Sequence, residues 1–483
     1  MWSVGMERSQ VEDLAQVLLD SIGPRLAGSP ELEAAQDWLV DVYGGWGVTA
    51  RKERYGEWNG WRQGTLHVDM TLPRVQTLVA EMLAWSPGSD GPVEGEVLLA
   101  PRGLTAATAP AWLETARGAF VLVSAPEPMC RSPQELAANA RPETIARLDS
   151  LRMSLRRDLA ERMRPLASGG TPVAVLEAAG VAGLLSSRWS GGWGVNKVFG
   201  TEAQEAVALD LSCEDYGMLY RMAQRGQRPR IRVDADAEAL GMVPQFNVIA
   251  ELTGTELPNE YVVLSAHLDS WHAAQGATDN GTGTIMMLEA MRILKEAYPN
   301  PRRTILVGHW GPEEMGLTGS RAFTEDHPEV LDGLQVLFNQ DNGTWRVERI
   351  EGQGFLYAGQ SIARWIAQVP TVMSEHIALE FPGAQNNAGS DHSAFVCHQV
   401  PAFRFQSPYD EYRQYTWHTN RDTYDKIVFD DLKENATLAA MIAYAASEDP
   451  QRVSREVSVL PPGRNGQPRP WPDCRPARRS PGG

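Results

Sequence analysis

Cysteine is scarce in this sequence. Cys130, Cys213, Cys397 and Cys474 lie far apart among 483 residues without a Cys-x-x-Cys pair. That argues against a cysteine metal site and against a dense disulfide scaffold, and it leaves the redox compartment open. Basic residues are also in deficit: 44 Lys and Arg stand against 61 Asp and Glu, a net charge of −17. Such a chain is a poor ligand for nucleic acid or anionic membranes, and small or neutral substrates remain. No apolar run approaches the roughly 18 residues that would span a bilayer. The stretch Met1 to Asp20 also lacks the basic segment followed by an apolar one that marks an export signal. A helical pattern starts almost at once, at Ser9, so a signal upstream and the compartment both stay open. Hydrophobic residues at 43% and charged residues at 22% exclude a largely disordered chain. The length suits two or three domains of roughly 100–200 residues.

From Ser9 to Trp46 the pattern is two amphipathic helices, with Leu14, Val17, Leu18 and Ile22 on one face and Leu32, Ala35, Trp38 and Leu39 on the next. Trp61 to Met70 alternates like a strand. Between about residues 72 and 240 come short apolar strands (Glu96 to Ala100, Phe120 to Ser124, Gly183 to Ser186) and an Arg-rich helical stretch, Glu143 to Leu166. This region reads as an inserted domain, and the Arg-rich helix as a solvated face. From Phe246 strands and helices alternate: strands at Phe246 to Leu252, Tyr261 to Ala266, Arg303 to Gly308, Leu334 to Asn339 and Pro401 to Gln406, and a helix at Gly283 to Tyr298. Alternation of this kind predicts an α/β fold, a mainly parallel mixed sheet with helices on both faces. After Pro450 the Pro/Gly-rich, Arg-rich composition predicts a floppy tail at 451–483.

Four segments set acidic or histidine residues just after strands: His267-Leu268-Asp269 with Thr278-Asp279-Asn280, Glu313-Glu314-Met315-Gly316, Gln340-Asp341-Asn342, and Trp417-His418-Thr419 through Asp422. In open α/β sheets ligands bind beyond the carboxyl ends of the strands, so the four can converge there. Singly, each is commonplace. Glu-Glu pairs are usually solvated, and Asp341 or Asp279-Asn280-Gly281 would pass as turns. Together they supply the nitrogen and oxygen ligands that two zinc ions require.

This constellation resembles the dizinc exopeptidases of clan MH, which include bacterial aminopeptidases and glutamate carboxypeptidases. Gln275-Gly276-Ala277 before Asp279, together with the insert, is most similar to the plasma glutamate carboxypeptidase branch. The resemblance spans about Gln10 to Ser447. It implies a peptidase domain built from residues 1–71 and 241–450, interrupted by a smaller β-rich protease-associated domain at 72–240. It further implies two Zn²⁺, with His267 and Asp341 on one, Glu314 and His418 on the other, and Asp279 bridging. Histidine and carboxylate ligands would also suit Mn²⁺ or Co²⁺. Glu313 would take a proton from the metal-bound water and return it to the leaving amine. Asp269 would orient His267 through the ring nitrogen off the metal. A cis peptide between Asp279 and Asn280 is implied as well.

Relatives carry a tyrosine that stabilises the oxyanion. This chain has none in the run Asn386-Asn387-Ala388-Gly389-Ser390-Asp391-His392, and Trp417 where other relatives place one before the last ligand. His392, an Asn side chain or the Trp417 indole are the candidate donors, His392 first. The expected activity is hydrolysis of dipeptides or short peptides with a free amino terminus. A carboxypeptidase reading a free carboxylate through Arg404, Arg413 or Arg421, and a non-catalytic receptor on the same fold, are the alternatives. Small peptides are then the expected partners, and a homodimer is compatible with the chain.

Overall fold

The computed structural model describes residues 1–385, 389–409, 411–462, 466, 467 and 469–482. The chain divides into two compact units: Met1–Asn59 with Met242–Thr416 and Asp422–Gly483, and Gly60–Gly241 with Trp417–Arg421. The second unit begins at Gly60. No linker composition marks the passage, because Thr49–Leu72 is one uninterrupted strand.

At the centre of the first unit is the strand Leu257–His267, whose last six residues, Val262 to His267, are all buried. Burial on both faces is why it reads as a continuous apolar run rather than an alternation. It pairs in parallel with Arg303–Trp310 on one side, Leu264 facing Val307, and with Leu334–Gln340 on the other, Leu264 facing Phe338. Ala402–Gln406 continues the parallel order beside Leu334–Gln340. The sheet is mixed at its margins: Arg349–Glu351 runs antiparallel to Ala402–Gln406, and the end of Arg230–Leu252 runs antiparallel to Arg303–Trp310.

Helices cover this sheet. In Thr282–Ala297 every residue from Thr282 to Leu294 is buried, because the helix lies between the strands and Phe429–Glu448. The latter helix is not among the sequence expectations; half of its buried residues are Ala, including Ala436, Ala439, Ala440 and Ala443, which gives a weak apolar stripe. Helix Pro30–Gly45 starts where Pro30 presets the first turn and the Ser29 hydroxyl accepts the Leu32 N–H at 3.2 Å.

The segment after Pro450 corrects the expectation of a floppy tail. Val453 is buried, the Trp471 ring stands 5.9 Å from that of Phe355, and its indole N–H donates to the Val396 carbonyl at 2.9 Å. Cys474 is disulfide-bonded to Cys397, and Arg479 pairs with Glu325 and Asp326. Composition counts only the apolar area a segment could bury by itself. This strap is ordered by one covalent tie, one tryptophan and ion pairs to a surface already formed.

The strands of the second unit follow the order Ala80–Met82, Val207–Leu211, Gly183–Ser186, Phe120–Leu122, Val93–Leu98 and the first part of Arg230–Leu252, parallel in the middle and antiparallel at both ends. Helices Ala109–Ala116, Pro142–Met163 and Cys213–Gln224 accompany it, so "β-rich" understates its helical content. Cys213 is bonded to Cys130. On the Arg-rich helix Arg162 departs from the solvated expectation: it is buried and donates to the Ala100 carbonyl at 2.6 Å. Among the described residues no helix is long and apolar enough to cross a membrane.

Candidate metal centre

His267 is the last residue of the central strand, and Trp310 and Gln340 end its two parallel neighbours. Parallel pairing puts three carboxyl ends side by side. The turn after His267, the Glu313-Glu314 loop and Asp341 therefore leave the sheet on the same edge. His267 Nε2 lies 3.1 Å from Asp341 Oδ1 and 3.4 Å from Asp279 Oδ1. Its Nδ1 faces away, 3.0 Å from the Asp269 carbonyl and 3.3 Å from the Asp269 carboxylate. A ring held this way turns one nitrogen toward two carboxylates and commits the other to an acceptor, as a metal-ligating histidine requires. Burial pulls the ring's pKa down, but Asp341, Asp269 and Asp279 outweigh it and raise it well above the usual value. Like-charged oxygens gathered around one imidazole are what a cation would stabilise.

Asp279 sits in the turn Ala277–Gly281 with non-helical dihedrals, and its peptide to Asn280 is cis. Asp422 holds that turn: its carboxylate accepts the Thr278 N–H at 2.8 Å, the Thr278 hydroxyl at 2.8 Å and the Asp279 N–H at 3.0 Å. Burial raises the Asp422 pKa to about 7 against these hydrogen bonds. The sequence places Asp422 near His418 but assigns it no role. Arg25 is a second residue with no sequence signal. Fully buried, it donates to the carbonyls of Leu268, Gly23, Gln275 and Gly276 at 2.7–2.9 Å, tying the turns on either side of the site. Burial lowers its pKa to about 10, with Asp422, Asp269 and Asp279 opposing.

Asp269 accepts the backbone N–H of both Glu313 and Glu314. The Trp271 indole N–H donates to Glu314 Oε2 at 2.9 Å. Ligand atoms of His267, Asp279 and Asp341 lie within 4.8 Å of one another, and Asp279 and Glu314 also come within that distance. Asp279 is thus within reach of both groups, and the donor set of one imidazole and three carboxylates suits a divalent metal. Desolvation raises the Glu313 pKa well above the usual carboxylate range; His267 opposes this, and Asp341, Asp391 and Glu314 add to it.

His418, at φ 59°, lies in the Trp417–Arg421 segment of the second unit. There its carbonyl accepts the Val198 N–H at 2.9 Å and its ring stands edge-on to Phe199 at 5.2 Å. His392 heads the helix His392–Val396, fully buried, with neither ring nitrogen hydrogen-bonded among the described residues. Burial and Arg404 hold its pKa well below the ordinary value, so the ring is neutral, and it belongs to neither ligand group. Asn386 and Asn387 lie outside the described residues. Arg404 is buried rather than a surface side chain; it donates to the Asp341 carbonyl at 2.9 Å. His309 is structural, 2.8 Å from the Tyr43 hydroxyl.

Residues 247–443 match the model of Peptidase family M28. Carboxypeptidase Q of Rattus norvegicus is 26% identical over 91% of this chain and 85% of its own length. Leucine aminopeptidase 1 of Coccidioides posadasii is 30% identical over 41% of this chain and 55% of its own. Among solved structures, a peptidase M28 precursor from Shewanella amazonensis shares the fold with a TM-score of 0.64 at 22% identity, covering 95% of this chain and 97% of its own. A zinc aminopeptidase from Bacillus subtilis does so at 0.56 and 18%, covering 92% and 96%.

Proposed function

We propose that this chain, a metallopeptidase whose residues 247–443 are of family M28, is a dizinc exopeptidase that hydrolyses dipeptides and short peptides with a free amino terminus. The observation that carries the reading is the position of Asp279, whose carboxylate reaches both the His267–Asp341 group and Glu314. His267 and Asp341 would hold one ion, Glu314 the other, and Asp279 both. His418 is assigned to the second ion by the sequence motif. Zinc bound there would polarise the scissile carbonyl and acidify a water.

The chain's own residues supply the rest. Glu313, its carboxyl pushed upward by desolvation, takes the proton of the attacking water and returns it to the leaving amine. Asp269 fixes the His267 ring and the loop that aims Glu313. Asp422 and Arg25 hold the turns on either side. His392, neutral and with no committed hydrogen bond, is the preferred oxyanion donor. The carboxylates of Asp341 and Glu314 offer outer oxygens to a substrate ammonium, a charge-assisted and therefore strong contact.

The test compares a dipeptide with its amino-acetylated and carboxy-amidated forms. Acetylation should abolish hydrolysis, and amidation should reduce it only for dipeptides. A rate untouched by acetylation and abolished by amidation would make the enzyme a carboxypeptidase.

A further inference from the structure

The helix Thr318–Asp326 begins just after the Glu313–Gly316 loop. With the short helix His392–Val396 and the strap Asp473–Pro476 it encloses a cleft of about 320 Å³. None of His267, Asp279, Glu313, Glu314 or Asp341 lines it. The volume is at the low end of the roughly 300–1,000 Å³ of small-molecule sites.

Two guanidiniums, Arg321 and Arg475, line the cleft, and neither has an ion pair or side-chain hydrogen bond among the described residues. Partial burial, and then repulsion from Arg475, lower the Arg321 pKa. Asp391 and Glu313 oppose this from beyond ion-pair distance, so in a chain with 61 acidic residues neither of these two cations has a carboxylate in direct contact. Glu325 also lines the cleft, but it is engaged by Arg479 at 3.0 Å and the Ala477 N–H at 2.7 Å. Asp473 has no partner among the described residues. The disulfide Cys397–Cys474, adjacent in sequence to Arg475, anchors the strap and so fixes where that cation stands. The cleft therefore presents two cations, one uncommitted carboxylate, and an apolar wall of Ala394, Pro476 and the disulfide.

This charge layout matches a zwitterion. A dianion such as phosphate would meet Asp473, and a simple cation would meet the arginines. We propose that the cleft binds a free α-amino acid, its carboxylate held between Arg321 and Arg475, its ammonium on Asp473 and its side chain on the apolar wall. The assignment rests on these residues and not on the peptidase reading, although free amino acids are what an exopeptidase releases.

Calorimetric titration of L-alanine, L-alaninamide and N-acetyl-L-alanine into the full zinc-loaded chain tests it, with Arg475→Ala and Arg475→Lys beside the wild type. Arg475 is exposed, so both variants should fold, and circular dichroism verifies that. L-Alanine should bind the wild type, and each blocked analogue should bind roughly tenfold or more weakly. Arg475→Ala should lose a similar factor, Arg475→Lys should lose less, and initial rates on a dipeptide should not change. Unchanged affinity in Arg475→Ala would overturn the proposal, as would alaninamide binding as tightly as alanine. A loss of binding with a matching loss of dipeptide turnover would place the amino acid in the metal centre and overturn it too. Absence of peptidase activity would sink the proposed function and leave this binding test readable.

Discussion

The Asp269 carboxylate receives the Glu313 backbone N–H at 2.9 Å through Oδ1 and the Glu314 N–H at 3.2 Å through Oδ2, while Oδ1 also lies 3.3 Å from His267 Nδ1. One buried side chain thus sets the ring of a proposed ligand and the backbone of both glutamates. Asp269→Asn replaces one acceptor oxygen by an NH₂ that must face an N–H group. Turnover should fall roughly 10–100-fold, the usual effect of losing a partner behind a metal ligand. Kinetics with metal analysis checks this: weaker zinc retention together with a lower kcat is expected, and wild-type values for both would remove Asp269 from the site.

Adjacent glutamates should separate cleanly. Glu313→Gln cannot accept the proton of water and should lose at least ~10²-fold in kcat while keeping its metal, the scale of general-base contributions. Glu314→Gln should lose metal. Elemental analysis of the two purified variants reads the difference, and equal metal loss in both would show the roles misassigned.

His309 reports on the core beneath the site. Burial lowers its pKa to about 3, against about 6.5 in an unfolded chain. The unfolded state therefore binds the extra proton, so stability from this group is complete above pH 6.5 and falls as the pH drops toward 3. Each pH unit between these values removes about 1.4 kcal/mol. Asp391 and Asp422, both raised to about 7 mainly by burial, act in the opposite direction, so the wild-type slope alone is not diagnostic. Denaturant titrations at pH 7 and 5 should show His309→Gln less stable than wild type at pH 7, with the gap narrowing at pH 5. A constant gap would mean that His309 is not the group concerned.

The strap should hold the first unit by its covalent tie. Cys397 and Cys474 are 77 residues apart, and a disulfide typically stabilises by about 2–4 kcal/mol. Cys397→Ser with Cys474→Ser should lower the unfolding free energy by that amount. Denaturant midpoints matching the wild type would show the tie to be redundant.

The parts of the site legible in sequence are those that local pattern carries. His267, Glu313 and Asp341 each follow an apolar run, and a parallel sheet turns that local fact into proximity. Arg25 and Asp422 were hidden because they act through partners some 140 to 250 positions away in the chain, and a single Arg or Asp in a loop carries no mark of that. Both disulfides and the strap were hidden for the same reason. Four scattered cysteines do not declare their pairing, and a Pro-rich tail does not show that Trp471 has a groove beside Phe355 to fill. Helix Phe429–Glu448 escaped because Ala packs well but barely registers as an apolar stripe.

Two metal ions sharing Asp279 would make the proposed centre, and stepwise zinc reconstitution of the chelated chain reads this out. With dipeptide hydrolysis and bound zinc followed together, both should saturate near two zinc per chain. Asp279→Asn should impair both equivalents and not just one. Full activity at a single equivalent, or an Asp279→Asn chain that still retains one tightly bound zinc, would contradict the shared site.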